Sequence, residues 1–182
     1  MSHTKLSTSE MGRLSVEAYR QADKLPVVAV LDNVRSQHNV GAVFRTADAM
    51  RLERVLLCGI CCCPPNQEIH KTALGAEESV DWQYFKETLD AVRALKAEGY
   101  AVYAVEQAHN SITLENFAQS FTGEGLHNRL AVIFGHEVFG VQQEVIDLCD
   151  GCIEIPQYGT KHSLNVSVTA GIVLYRICNA LR

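Results

Sequence analysis

Pro26-Val27-Val28-Ala29-Val30-Leu31, followed by Asn33-Val34-Arg35-Ser36-Gln37-His38-Asn39-Val40-Gly41-Ala42-Val43-Phe44-Arg45 and then by Arg54-Val55-Leu56-Leu57-Cys58-Gly59, changes its hydrophobic period twice. The first run is continuously apolar and short, as in a strand buried on both faces. In the second, apolar residues fall at Val40, Val43, Phe44, Ala47 and Met50, the three-and-four spacing of one helix face. The third returns to a continuous run that stops at Gly59. Strand, helix and strand in that order predict two parallel strands joined by a covering helix.

Further along the chain the alternation repeats. Asp81–Phe85 reads as a short edge strand, and 88–96 as a helix with Thr88 as N-cap and Gly99 just past its end. Strands follow at 100–105, at Leu130-Ala131-Val132-Ile133-Phe134 (stopped by Gly135) and at Cys152–Ile155, with a helix at 142–149 before the last. The stretch after Gly59 reads as loop. Residues 1–24 form a short amphipathic arm, with Met11, Leu14 and Ala18 at helical intervals, and 25–182 a single domain. The expected class is α/β, a mostly parallel sheet covered on both faces. Ligands of such sheets bind outside the carboxyl ends of the strands, here the exits at Gly59, Gly135-His136-Glu137 and Pro156. The final helix, 164–181, is apolar on two sides: Val166, Ala170, Val173 and Ile177 on one, Val168, Ile172 and Tyr175 on another. A helix apolar nearly all round is covered on more than one face, which implies a second subunit.

The totals set limits. A chain of 182 residues with 47% hydrophobic and 20% charged residues can bury a core in one domain. Its net charge of −5 argues against a broad basic surface that grips nucleic acid, so any RNA contact is local or assembled across two subunits. No apolar run reaches the roughly 18 residues of a membrane span, and the polar opening lacks a signal-peptide core. The expected setting is cytoplasmic. The seven cysteines include Cys58-x-x-Cys61 and Cys149-x-x-Cys152, too far apart for a zinc ribbon. They read as small buried hydrophobes, although the Cys61-Cys62-Cys63 run has no physical account.

Three segments carry chemistry. In the first, Asn39 could cap the helix and Arg45 lies about 9 Å further along its axis, off the apolar stripe. A guanidinium there can hold a phosphate bidentately; a plain surface arginine beside an ordinary cap is the simpler reading. The second, Gly135-His136-Glu137-Val138-Phe139-Gly140, brackets an acid between glycines after a buried strand. Its spacing matches a phosphate-binding loop, but Val141-Gln142 replace the required Lys-Ser/Thr, leaving a cofactor loop or a mere turn. The third runs from Ile155-Pro156 through Gly159-Thr160-Lys161-His162 to Ser163-Leu164-Asn165-Val166-Ser167. Ser163 suits an N-cap and would leave free amides beside the crevice, or it is a polar loop with its cap. Asn165 so early in an apolar helix resists the blander reading. His38, His136 and His162 have no local metal-ligand spacing, and no metal site is expected.

Together these segments resemble the three motifs of the SpoU/TrmH family of SPOUT RNA 2′-O-methyltransferases. Asn39-Val40-Gly41-Ala42 through Arg45-Thr46-Ala47-Asp48-Ala49 resembles the first motif, Phe134-Gly135-His136-Glu137 to Gly140 the second, and Ile155-Pro156 with Ser163-Leu164-Asn165-Val166-Ser167-Val168 the third. The likeness spans roughly 26–182. It implies a Rossmann-like, mostly parallel sheet with a C-terminal trefoil knot, a feature that chain-topology rules make very rare. It implies a homodimer, an RNA substrate (tRNA or rRNA) and S-adenosylmethionine as cofactor, held mainly by backbone at Gly135, Ile155 and Leu164. Arg45 matches the family's catalytic arginine; Asn39, Glu137, Ser163 and Asn165 match its other polar active-site positions. Gln157 stands where many members have methionine, and Val141 where many have leucine or methionine.

The implied reaction is methylation of a ribose 2′-hydroxyl. A guanidinium stays protonated in proteins, so Arg45 is expected to hold the neighbouring phosphate and stabilise alkoxide charge, with phosphate or water assisting proton removal. One rival is a non-catalytic RNA-binding or ribosome-assembly factor on the same fold. A nicotinamide-dependent enzyme is the other, disfavoured by the missing GxGxxG after the first strand.

Overall fold

The computed structural model describes residues 3–7, 9–120 and 129–182. A 3-10 turn at Ser9–Met11 precedes helix α1 (Val16–Gln21), strand β1 (Leu25–Asp32), α2 (Gln37–Met50) and β2 (Leu52–Cys58). Two short helices, α3 (Gln67–Ala73) and α4 (Ala76–Ser79), lead to β3 (Asp81–Phe85), α5 (Thr88–Ala97) and β4 (Ala101–Val105). Then come β5 (Ile112–Thr113), α6 (Leu114–Ser120), β6 (Leu130–Phe134), α7 (Gln143–Leu148), β7 (Gly151–Glu154) and α8 (Val166–Ala180).

The strands form one seven-stranded sheet in the order β3-β2-β1-β6-β4-β7-β5, and every pairing is parallel. Side chains alternate across a strand, and the apolar runs exploit this. Val27, Ala29 and Leu31 of β1 enter the core under α2 and α8, whereas Val28 and Val30 enter the core under α5 and α7. Likewise Leu130, Val132 and Phe134 of β6 face the first core, and Ala131 and Ile133 the second. A continuous apolar run is what a strand covered on both faces needs. Gly41 lets α2 approach α3 closely: a Cβ there would lie 2.2 Å from Thr72 Oγ1 and 2.3 Å from the Ile69 carbonyl.

Several local expectations change. The arm is helical only at Val16–Gln21, with Tyr19 buried and Met11 and Leu14 exposed; positions 1, 2 and 8 lie outside the described residues. Ser36, not Asn39, caps α2, its Oγ accepting from the Asn39 N–H at 3.3 Å. Asn165, not Ser163, caps α8, its Oδ1 accepting from the Ser167 and Val168 N–H groups at 2.9 and 3.4 Å. That role explains a polar residue at the head of an apolar helix. Thr88 is the first residue of α5 rather than its cap, because its buried hydroxyl donates to Asp32 Oδ1 at 2.5 Å. The stretch after Gly59 holds α3 and α4, with Asn66 capping α3 through the Glu68 and Ile69 N–H groups. Cys58, Cys61, Cys152 and Cys178 are buried, whereas Cys62, Cys63 and Cys149 are partly so, and none is in a disulfide.

Candidate active site

At the carboxyl ends of β4, β6 and β7 the loops part to leave a crevice of about 1150 Å³. Phe134 and Gly135 form one wall, Ile155 and Leu164 another, and Glu106 and Gln107 a third. Gly135 must lack a side chain, but not for the ligand's sake: a Cβ would lie 2.2 Å from the Gly140 carbonyl carbon and 2.3 Å from the Val141 nitrogen. The second motif folds back on itself. His136 and Gly140 exchange backbone hydrogen bonds of 3.0 and 2.9 Å, and Gly140 turns at φ +66°, the left-handed region glycine tolerates. The His136 ring holds the turn, its Nδ1 accepting from the Val138 N–H at 3.0 Å.

Glu137 reaches out of this turn to the start of α2. Its carboxylate accepts from the Ser36 N–H at 2.9 Å, the Arg35 N–H at 3.0 Å and Asn39 Nδ2 at 3.0 Å. Burial by itself would raise the Glu137 carboxyl, but these donors outweigh it and hold the group below the ordinary carboxylate range. Asn39 is nine-tenths buried, and its Oδ1 accepts from Asn165 Nδ2 at 3.2 Å. One side-chain chain, Glu137–Asn39–Asn165, thus ties the three motifs together. Ser163 is exposed on the rim of the crevice.

Seven of the eight sequence-derived residues therefore line the crevice or bond to one that does. Arg45 does not. It is exposed on α2 and borders a separate hollow with Ala42, Thr46, Lys71, Gly171 and Tyr175. The reason is helical geometry: six residues beyond Asn39, Arg45 is about 9 Å further along the axis and turned toward α8. Two residues escaped the sequence reading. Glu106 accepts from the Val141 N–H at 3.1 Å and the Gln107 N–H at 2.9 Å, and Gln107 Nε2 donates to the His162 carbonyl at 2.7 Å. Applying the strand-end rule to Val105, as it was applied to Phe134, would have reached them. Among the described residues no group of three His, Cys, Asp or Glu is placed to hold a metal.

The crevice has the size of a small-molecule site, with apolar residues such as Phe134, Ile155 and Leu164 facing polar ones such as Glu106 and Gln107. The Leu164 N–H has no partner among the described residues and is available to a ligand. Those features fit a nucleoside-like cofactor held by backbone, and they offer no cluster of cations for a triphosphate.

The sequence matches the SpoU rRNA Methylase family over residues 26–175. It is 30% identical to the tRNA (guanosine(18)-2′-O)-methyltransferase of Thermus thermophilus over 167 residues, 92% of this chain and 81% of that protein. The fold is similar to that of the AdoMet-bound rRNA methyltransferase from Sinorhizobium meliloti, with a TM-score of 0.76 at 25% identity over 90% of this chain and 60% of that one. It is also similar to the TrmH/SpoU tRNA modifying enzyme of A. aeolicus, with a TM-score of 0.76 at 23% identity over 91% of this chain and 81% of that one. The chain thus spans about four-fifths of two of these relatives and three-fifths of the third.

Proposed function

Because the chain belongs to the SpoU rRNA methylase family, we propose that it is an S-adenosylmethionine-dependent RNA methyltransferase acting on a ribose 2′-hydroxyl of tRNA or rRNA. The observation that carries this reading is the joining of all three motifs by the Glu137–Asn39–Asn165 hydrogen bonds beside one crevice. The cofactor supplies an electrophilic methyl group on its sulfonium sulfur. Gly135, Ile155 and Leu164 hold it through backbone and apolar contact. Asn39, Glu137 and Asn165 fix the loops that shape the pocket, and Ser163 meets the substrate at the rim. Aligning hydroxyl oxygen, methyl carbon and sulfur supplies much of the rate of such a displacement. A catalytic role is favoured over a bare RNA-binding one by the names of the family relatives.

Arg45 holds the phosphate beside the target ribose and stabilises charge growing on its oxygen. Being outside its own chain's crevice, it serves that of a second copy. Val168, Ile172 and Tyr175 form an exposed apolar strip on α8, and Tyr175 borders the hollow that holds Arg45. Burying this strip in a homodimer would bring Arg45 to the interface. The C-terminal trefoil knot belongs to the same reading, with 155–165 leading from β7 to α8, which packs on α2. No described helix is long and apolar enough to cross a membrane.

The test is tritiated methyl transfer to RNA under single-turnover conditions, with an RNA carrying a 2′-deoxy target nucleotide as control. Methylation of the wild-type RNA alone is expected; methylation of the deoxy RNA would remove the ribose assignment. Sedimentation should give a dimer that Ile172→Glu converts to monomer with loss of activity, and a fully active monomer would defeat the shared site.

A further inference from the structure

Glu106 is the one acidic side chain that reaches the crevice from β4, and the hydrogen bonds already described leave it half used. Each carboxylate oxygen accepts a single backbone N–H, from Val141 and from Gln107. A carboxylate offers roughly four acceptor sites, so two remain. No ion pair to Glu106 occurs among the described residues. Gly140 keeps the group in reach, because a Cβ there would lie 2.0 Å from Glu106 Oε2. The two N–H groups go to different oxygens, so both must be acceptors, as in a carboxylate, and each keeps one lone pair facing away from its backbone donor. A charged acceptor without a cation, anchored on both oxygens and lining the crevice, is built for a part of a ligand that brings hydrogen-bond donors and no anionic group.

We propose that Glu106 is a cofactor-binding residue whose carboxylate receives the ribose diol of the bound cofactor. The inference rests on the methyltransferase reading above. A vicinal diol presents two O–H donors side by side, matching the two oxygens, and an acidic side chain at a strand's carboxyl end is a recurrent ribose receptor in open α/β sheets. The RNA substrate is excluded from this spot, since its target ribose lies between phosphates that the carboxylate repels. Gln107 acts beside it as a positioning residue: its Nε2 bond to the His162 carbonyl holds the third-motif loop against β4. Glu106 and Gln107 therefore clip both cofactor loops to one strand end.

Calorimetry with S-adenosylhomocysteine provides the test, independent of turnover. Wild-type protein should bind it, and Glu106→Gln should bind about 10- to 100-fold more weakly, the range for losing hydrogen bonds to a charged group. The same loss should appear with 5′-methylthioadenosine, which keeps the diol but lacks the amino-acid tail. The 2′-deoxyribose analogue of S-adenosylhomocysteine should bind wild-type protein more weakly and gain little further penalty in Glu106→Gln. That analogue needs no variant, so the inference stays testable if Glu106→Gln fails to fold. Equal affinity of wild type for the deoxy and normal ligands, or a loss confined to ligands with the amino-acid tail, overturns the assignment. Absence of any binding to wild type overturns the methyltransferase reading instead.

Discussion

The two halves of α2 carry the same sequence motif in opposite states. At its first turn, Ser36 Oγ takes the Asn39 N–H, and Asn39 spans from Glu137 to Asn165 with both side-chain atoms engaged. Two turns on, Arg45 is exposed and has no partner among the described residues. A side chain bonded at both ends holds the loops in shape and is not free to follow a substrate. An unpartnered guanidinium keeps all five donors for a phosphate. The motif thus divides into a part that builds the crevice and a part that works outside it.

Arg45→Ala tests that division most severely. It should fold normally, bind S-adenosylhomocysteine as wild type does, and lose roughly 10²–10³ in methyl transfer, the usual penalty for removing one donor to developing charge. Arg45→Lys should recover little, since an ammonium cannot reproduce the planar fork. Near-normal single-turnover rates for Arg45→Ala would erase the contrast. Asn39→Ala should behave in the opposite way, lowering the unfolding free energy by about 1–3 kcal/mol in urea because the hydrogen bonds of a buried side chain to Glu137 and Asn165 are both lost. Unchanged stability there would mean that the first turn is not scaffold.

The smallest effect sharpens the same contrast through pH. Glu137 titrates below the ordinary carboxylate value of 4.5 in the folded protein, so its stabilisation is present at neutral pH and lost as pH falls from about 4.5 through the folded value. Urea unfolding of wild type and Glu137→Gln should therefore differ most near neutrality and converge in acid. A gap that stays constant down to pH 3 counts against an ionised Glu137 holding α2.

Long apolar runs were legible in the sequence because burial on both faces leaves no other composition for β1, β2 and β6. The two-residue β5 and the short α3 and α4 left no periodic trace, and α3 ends at Leu74, which adopts φ +53° where glycine would have signalled a stop. Two caps were misread for one shared reason. Asn39 and Thr88 are cap-type residues in cap-like positions, yet Asn39 bonds Glu137 and Thr88 bonds Asp32, partners 98 and 56 residues away. Local pattern cannot distinguish a polar side chain that closes its own helix from one that ties two distant segments. For the site, the motif resemblance supplied the residues together, whereas the separation of Arg45 from the crevice needed the fold.

The central position of β1 also bears on how the chain is made. Its one neighbour, β2, follows within a few dozen residues, but the other side of β1 waits for β6, where Val27 pairs with Leu130 and Leu31 with Phe134. At ribosomal speeds of about 5–20 residues per second, β1 emerges roughly 5–20 s before its second partner exists. During that interval one edge of a strand buried over six of its eight residues is open to whatever strand arrives first, which makes the nascent chain a natural client for chaperones that shield unpaired edges.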